Sequence, residues 1–81
     1  MSWALYIVEC IDKTYYTGIT NNIDRRIAQH NCGDGAKYTK GRAPVKLLYT
    51  EEFENRSEAS KRELAIKSLS KEQKMVLIKS K

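Results

Sequence analysis

Five side chains in this sequence are of types that handle phosphates and protons. Tyr6 lies in Leu5-Tyr6-Ile7 and Tyr16, ten residues later, in Tyr16-Thr17-Gly18; Arg26 and His30 follow, and Glu63 lies far downstream. A guanidinium can hold a phosphate and stabilise charge that develops on it. Phenol and imidazole can accept or relay a proton, and a carboxylate can bind a hard divalent cation. A free phenol has a pKa of about 10, so a tyrosine base needs nearby cations or an imidazole to help it.

These groups must be carried by elements that bring them together. Residues 3–11 and 14–19 are rich in aromatic and β-branched residues, with Asp12-Lys13 as the turn signal between them, so they read as a hairpin. Asn21 or Asn22 can cap a helix to about Asn31, with Asp24 favourable in its first turn and Cys32-Gly33-Asp34-Gly35 ending it. One helical turn is compatible with the polar stretch 36–44, and a third strand reads from Val45 to Phe53. Asn55 or Ser57 opens a helix to about Leu69, and Ser70 with Gln73 forms the capping-box pattern of a last helix ending near Ile78. The order β, β, α, β, α, α gives an α+β fold, a small sheet with helices packed against it. Nothing divides the chain, which reads as one domain over residues 1–81.

Helical projection at about 100° per residue sorts the candidates. With Ile23 and Ile27 marking the buried stripe, Arg26 and His30 fall beside it and Arg25 points away. Arg26 is therefore the candidate and Arg25 an ordinary solvated charge, although a snorkelling role at a core margin suits Arg26 equally well. Glu63 shares a face with Ala59 and Ile66, which demands a paired cation, neutralisation or a metal; Lys67, one turn on, offers an ion pair.

The hairpin sets a geometric condition. A two-residue turn at Asp12-Lys13 pairs Val8 with Thr17 and sends Tyr6 and Tyr16 to opposite faces. A three-residue connection, Ile11 to Lys13, pairs Val8 with Tyr16 and leaves both tyrosines on one face, with Tyr15 on the other as a control. Gly18 suits a close backbone approach or a bend.

Composition narrows the partners. The 81-residue chain has 15 Lys+Arg and 10 Asp+Glu, a net charge of +5, and the excess lies beyond residue 55. A domain this small buries only roughly 60–65% of its unfolded surface, so an enclosed active site is not expected. Cys10 and Cys32 have no metal-ligand spacing and one histidine to join them, so they read as reduced thiols. With no apolar run of membrane-spanning length and no leader pattern at Met1-Ser2-Trp3, the expected location is cytoplasmic.

Taken in order, Leu5-Tyr6-Ile7, Tyr16-Thr17-Gly18, Arg26, His30 and Glu63 resemble the GIY-YIG nuclease superfamily, in particular its small stand-alone members. The similarity runs from about Trp3 to Ile78 and takes in Gly18-Ile19-Thr20, Arg25-Arg26, Gly35-Ala36-Lys37-Tyr38-Thr39 and Lys67-Ser68-Leu69. Leu5 precedes the first tyrosine in place of glycine and isoleucine, and Thr17 stands where the second motif has isoleucine.

The resemblance implies a three-stranded antiparallel sheet flanked by helices and a metal-dependent endonuclease that hydrolyses DNA phosphodiesters. It further implies that Tyr6 or Tyr16 helps to activate water, Arg26 holds the scissile phosphate and His30 assists Tyr6 or the phosphate. Glu63 would bind one Mg²⁺ or Mn²⁺, whose preference for oxygen ligands and water suits a single carboxylate. Lys37, Tyr38, Thr39, Lys40 and Arg42 would form a phosphate-contacting rim with weak sequence preference. No reader of base edges accompanies them, so DNA shape, a protein partner or dimerisation would choose the target in repair or recombination. The alternatives are a nucleic-acid-binding module with this fold that needs a partner or does not cut, and a protein-interaction module using Trp3 and the basic C-terminal helix.

Overall fold

The hairpin register meets the condition for a shared tyrosine face. In the computed structural model, which describes residues 2–80 apart from 34, 36 and the side chain of Tyr38, strand β1 (Trp3–Glu9) pairs antiparallel with β2 (Tyr15–Thr20), Val8 opposite Tyr16 and Tyr6 opposite Gly18. The amide of Cys10 donates to the carbonyl of Thr14 at 2.8 Å, and the amide of Lys13 to that of Cys10 at 2.9 Å. Ile11, Asp12 and Lys13 therefore form the connection, with Lys13 left-handed at φ 71°. A three-residue loop ending in a left-handed residue is a common hairpin closure, and here it puts both tyrosines on one face.

Helix α1 (Ile23–Cys32) is capped by the side chain of Asn22, which accepts from the amide of Arg25, and it ends at Gly33, left-handed at φ 86°. After a short 3₁₀ turn at Lys37–Thr39, strand β3 (Lys46–Phe53) joins the other edge of β1, giving the strand order β2-β1-β3 with antiparallel pairing throughout. A bulge lets Leu48 slip between the Ile7–Tyr49 and Val8–Leu47 pairs, so the apolar run in β3 does not alternate cleanly. Helix α2 (Arg56–Lys67) is capped by Asn55, and α3 (Lys71–Lys79) by a complete Ser70/Gln73 capping box. The expected α+β class and the order β-β-α-β-α-α are both borne out.

Each face of the sheet carries its own core. Leu5 and Ile7 pack with Tyr49 and Ile66 on one face, joined by Tyr15, Ile19, Phe53 and apolar residues of α3. Tyr6, Val8, Cys10 and Val45 pack on the other, with Tyr16 and with Ile23 and Ile27 of α1. Among the described residues, no helix is long and apolar enough to cross a membrane.

Candidate nucleic-acid site

Tyr6 is wholly buried, and its hydroxyl lies 2.8 Å from His30 Nε2. His30, also wholly buried, places Nδ1 2.7 Å from Thr39 Oγ1. Arg26 Nε donates to Tyr6 Oη at 3.3 Å, and its Nη1 donates to Gln29 Oε1 at 3.2 Å. With the His30 proton placed on Nδ1, the row runs in one direction: Arg26 gives to Tyr6, Tyr6 gives to His30 Nε2, and His30 Nδ1–H gives to Thr39. That order requires a neutral imidazole. Burial, followed by the charge of Arg26, lowers the His30 pKa and so favours that form. Burial likewise raises the Tyr6 pKa, partly offset by the hydrogen bond from Arg26.

Tyr16 completes the aromatic cluster, with its ring centroid 6.3 Å from that of Tyr6 and 5.4 Å from that of His30. Unlike them it is only half-buried, as are Arg26 and Glu63. Lys67 Nζ sits 6.0 Å from the centre of the Tyr16 ring and 3.3 Å from Glu63 Oε2. The ion pair foreseen between Glu63 and Lys67 therefore forms at the margin of the site. Glu63 is also close enough for its charge to disfavour ionisation of Tyr6.

Two glycines make room for this packing. A Cβ on Gly18 would lie 2.5 Å from Tyr6 Oη and 2.8 Å from Tyr6 Cζ, and one on Gly35 would collide with the His30 ring. The need at Gly18 is for space, since its φ is not positive.

The proposed rim is corrected at one position. Thr39 is 1% exposed and is committed to His30, because the 3₁₀ turn points it inward; it does not belong to a solvent-facing phosphate rim. Lys37 and Lys40 are exposed, whereas Arg42 Nε meets Asp12 Oδ2 at 2.9 Å. Asp12 is held below its ordinary pKa chiefly by its hydrogen bond from Thr14, and then by Arg42. The Tyr38 side chain lies outside the described residues. Tyr15 faces the opposite core, with Lys71 Nζ 5.1 Å from its ring centre.

Gln29 is a part of the site that the sequence pattern did not bring out; its i,i+3 step from Arg26 was the available signal. Among the described residues no cluster of three or more His, Cys, Asp or Glu side chains could hold a metal. Glu63 is the half-buried carboxylate beside the tyrosines. A lone carboxylate with open surface fits a cation that takes its remaining ligands from phosphate and water.

A model of the GIY-YIG catalytic domain matches residues 2–76. The chain belongs to the GIY-YIG family. A UPF0213 protein of Halobacterium salinarum is 58% identical over 73 residues, covering 90% of this chain and 95% of that one. A UPF0213 protein of Clostridium perfringens is 57% identical over 77 residues, covering 95% and 83%. The solution NMR structure of a UPF0213 protein from Bacillus halodurans, 44% identical, superposes with a TM-score of 0.65 over 100% of this chain and 86% of that one. The solution NMR structure of the protein EF2693 from E. faecalis, also 44% identical, gives 0.68 over 99% and 85%. The GIY-YIG fold is thus shared along nearly the whole chain.

Proposed function

We propose that this GIY-YIG domain is a metal-dependent endonuclease that hydrolyses DNA phosphodiester bonds. The observation that carries this reading is the anchoring of Arg26. Its guanidinium is fixed by a phenol and an amide, both neutral, and that phenol, Tyr6, stacks near the half-buried Tyr16 and feels the charge of Glu63. A guanidinium held by neutral acceptors keeps its full charge for an anion.

Arg26 orients the scissile phosphate and stabilises the charge that builds on its oxygens. Tyr6 and His30, enclosed and hydrogen-bonded in series, act through Arg26 by fixing its position. Tyr16, the phenol at the surface, acts in its phenolate form as the base that takes the proton of the attacking water. Glu63 would hold the divalent cation common among nucleases of this family, with Lys67 moving aside. When bound, that cation supplies Lewis-acid polarisation of a phosphoryl oxygen and neutralises a leaving alkoxide. Exposed Lys37 and Lys40 extend the contact with the DNA backbone, with Arg42 beside them in its pair with Asp12. Target choice rests on DNA shape, on a protein partner or on dimerisation, within repair or recombination.

The test incubates the protein with supercoiled, branched and single-stranded DNA plus Mg²⁺ or Mn²⁺. Tyr16→Phe, Arg26→Ala and Glu63→Ala each reduce cleavage at least about a hundredfold, the scale of one acid–base or electrostatic group. Tyr15→Phe leaves cleavage unchanged. The Glu63–Lys67 ion pair favours a second reading, a binding module with no resident metal. Metal-independent DNA binding with no cleavage of any substrate would establish that reading in place of the first.

A further inference from the structure

Next to Arg26 an open cleft of about 290 Å³ lies between the end of β2, the start of α1 and the first residue of α2. Three of its side chains are arginines, Arg25, Arg26 and Arg56, and among the described residues no carboxylate lines it. Among the described residues none of the three makes a salt bridge, whereas Arg42 and Arg62 pair with Asp12 and Glu51 at 2.9 Å each. Arg25 Nη2 donates instead to Asn21 Oδ1 at 3.3 Å, and Arg56 Cζ lies 5.5 Å from the centre of the Trp3 ring. Arg25 and Arg56 also occupy the first turns of α1 and α2, where the helix dipole opposes a positive charge. The fold therefore gathers around one opening an indole and three guanidiniums that, among the described residues, have no salt-bridge partner.

We propose that this cleft seats the nucleotide adjoining the scissile phosphate, unstacked from its neighbours: its base lies on Trp3, and Arg25 and Arg56 take its far phosphate. The assignment rests on the endonuclease reading for the position of the scissile phosphate at Arg26. It names the substrate class as DNA with unpaired nucleotides at the cut, such as a flap, a branch or a single strand. A base in a continuous duplex is stacked on both sides and has no free face for an indole. Aromatic platforms accept any unpaired base, and a guanidinium exchanges readily between an aromatic face and a phosphate.

Trp3 is the one tryptophan of the chain, so its fluorescence reports the cleft without any dependence on cleavage. The protein is titrated in EDTA with a single-stranded oligothymidine and with a blunt duplex of equal length, each carrying a remote label for anisotropy. The expected result is marked quenching of Trp3 by the single strand and almost none by the bound duplex. Arg56→Gln, an exposed change, reduces the slope of log affinity against log salt for the single strand by about 0.7, one phosphate contact. Trp3→Leu weakens single-strand binding about tenfold, the effect of one lost stacking contact, and duplex binding little. Equal quenching by both DNAs, or anisotropy showing single-strand binding with Trp3 fluorescence unchanged, overturns the subsite and leaves the endonuclease reading standing. A chain that cuts a continuous duplex as fast as a flap also overturns the subsite alone. Failure to bind any DNA at low salt overturns both.

Discussion

Adding one methyl group at Gly18 should dismantle the site from within. The alanine Cβ would lie 2.5 Å from Tyr6 Oη, 2.8 Å from Tyr6 Cζ and 3.1 Å from Tyr16 Cε2. Relaxing the first contact to an ordinary separation of about 3.5 Å moves the phenol about 1 Å. Tyr6 has nowhere to go without loss, since it is wholly buried and its hydroxyl is 2.8 Å from His30. Overpacking costs about 1–3 kcal/mol. The weakened hydrogen bond adds about 1 kcal/mol. Stiffening of the unfolded chain returns about 0.4–1 kcal/mol. Gly18→Ala should therefore destabilise by about 1–3.6 kcal/mol, against a total stability of about 4–12 kcal/mol for a domain of this size. The check is urea unfolding at constant m-value, repeated in a Tyr6→Phe background that lacks the most crowded atom. The alanine penalty should shrink there by about 1 kcal/mol or more, as expected for residues in direct contact. Equal penalties in the two backgrounds, or wild-type stability for Gly18→Ala, would refute the argument from space.

His30 is the one histidine of the chain, which makes its titration separable. Its pKa is lowered by burial and by Arg26, so the unfolded chain takes up a proton below about pH 6.5 that the folded protein resists. Stability is then complete above pH 6.5 and falls as the pH drops below it, by at most about 1.4 kcal/mol per pH unit. His30→Gln should flatten the profile between pH 6.5 and 5, and a wild-type protein already flat over that range contradicts the neutral-imidazole assignment. Thr17 is 2% exposed, and among the described residues its hydroxyl has no hydrogen-bond partner. Thr17→Val should raise stability by about 1 kcal/mol or more in thermal unfolding with cleavage unchanged, because it removes a buried polar group of nearly the same shape.

The hairpin shows where the sequence was legible and where it was not. Alternation told which residues share a face only once the turn length was known, and both turn lengths were compatible with Ile11-Asp12-Lys13. The left-handed conformation of Lys13, a residue with no special tendency toward it, decided between them. Helix projection did better. It distinguished exposed Arg25 from half-buried Arg26 and put Ala59, Ile66 and Glu63 on one side of α2, because a helix fixes relative direction locally. The capping residue Ser70 was readable for the same reason, and of the two caps offered for α2, Asn55 and Ser57, Asn55 is the one used. Thr39 was misread as a surface contact because it lies in a basic loop whose path depends on a tertiary partner, His30. The Trp3–Arg56 cleft joins residues 53 positions apart, beyond any local pattern.

Burial divides the five candidate side chains in a way that composition could not. A domain too small to enclose a substrate can still enclose the supports of an exposed site. Tyr6, His30 and Thr39 form such a support, a row of neutral groups that begins at Arg26 and ends inside the fold. Had a carboxylate anchored Arg26, as Asp12 meets Arg42, the guanidinium would have been fixed equally well but its charge largely cancelled. Neutral acceptors fix position and leave the charge. The same distinction explains why His30 must resist protonation: an imidazolium could not accept from Tyr6 and would repel Arg26 across the phenol. The anion binding proposed for Arg26 and the acid sensitivity expected of the fold are thus two consequences of one hydrogen-bonded row. A substitution that charges or breaks the row should impair both together.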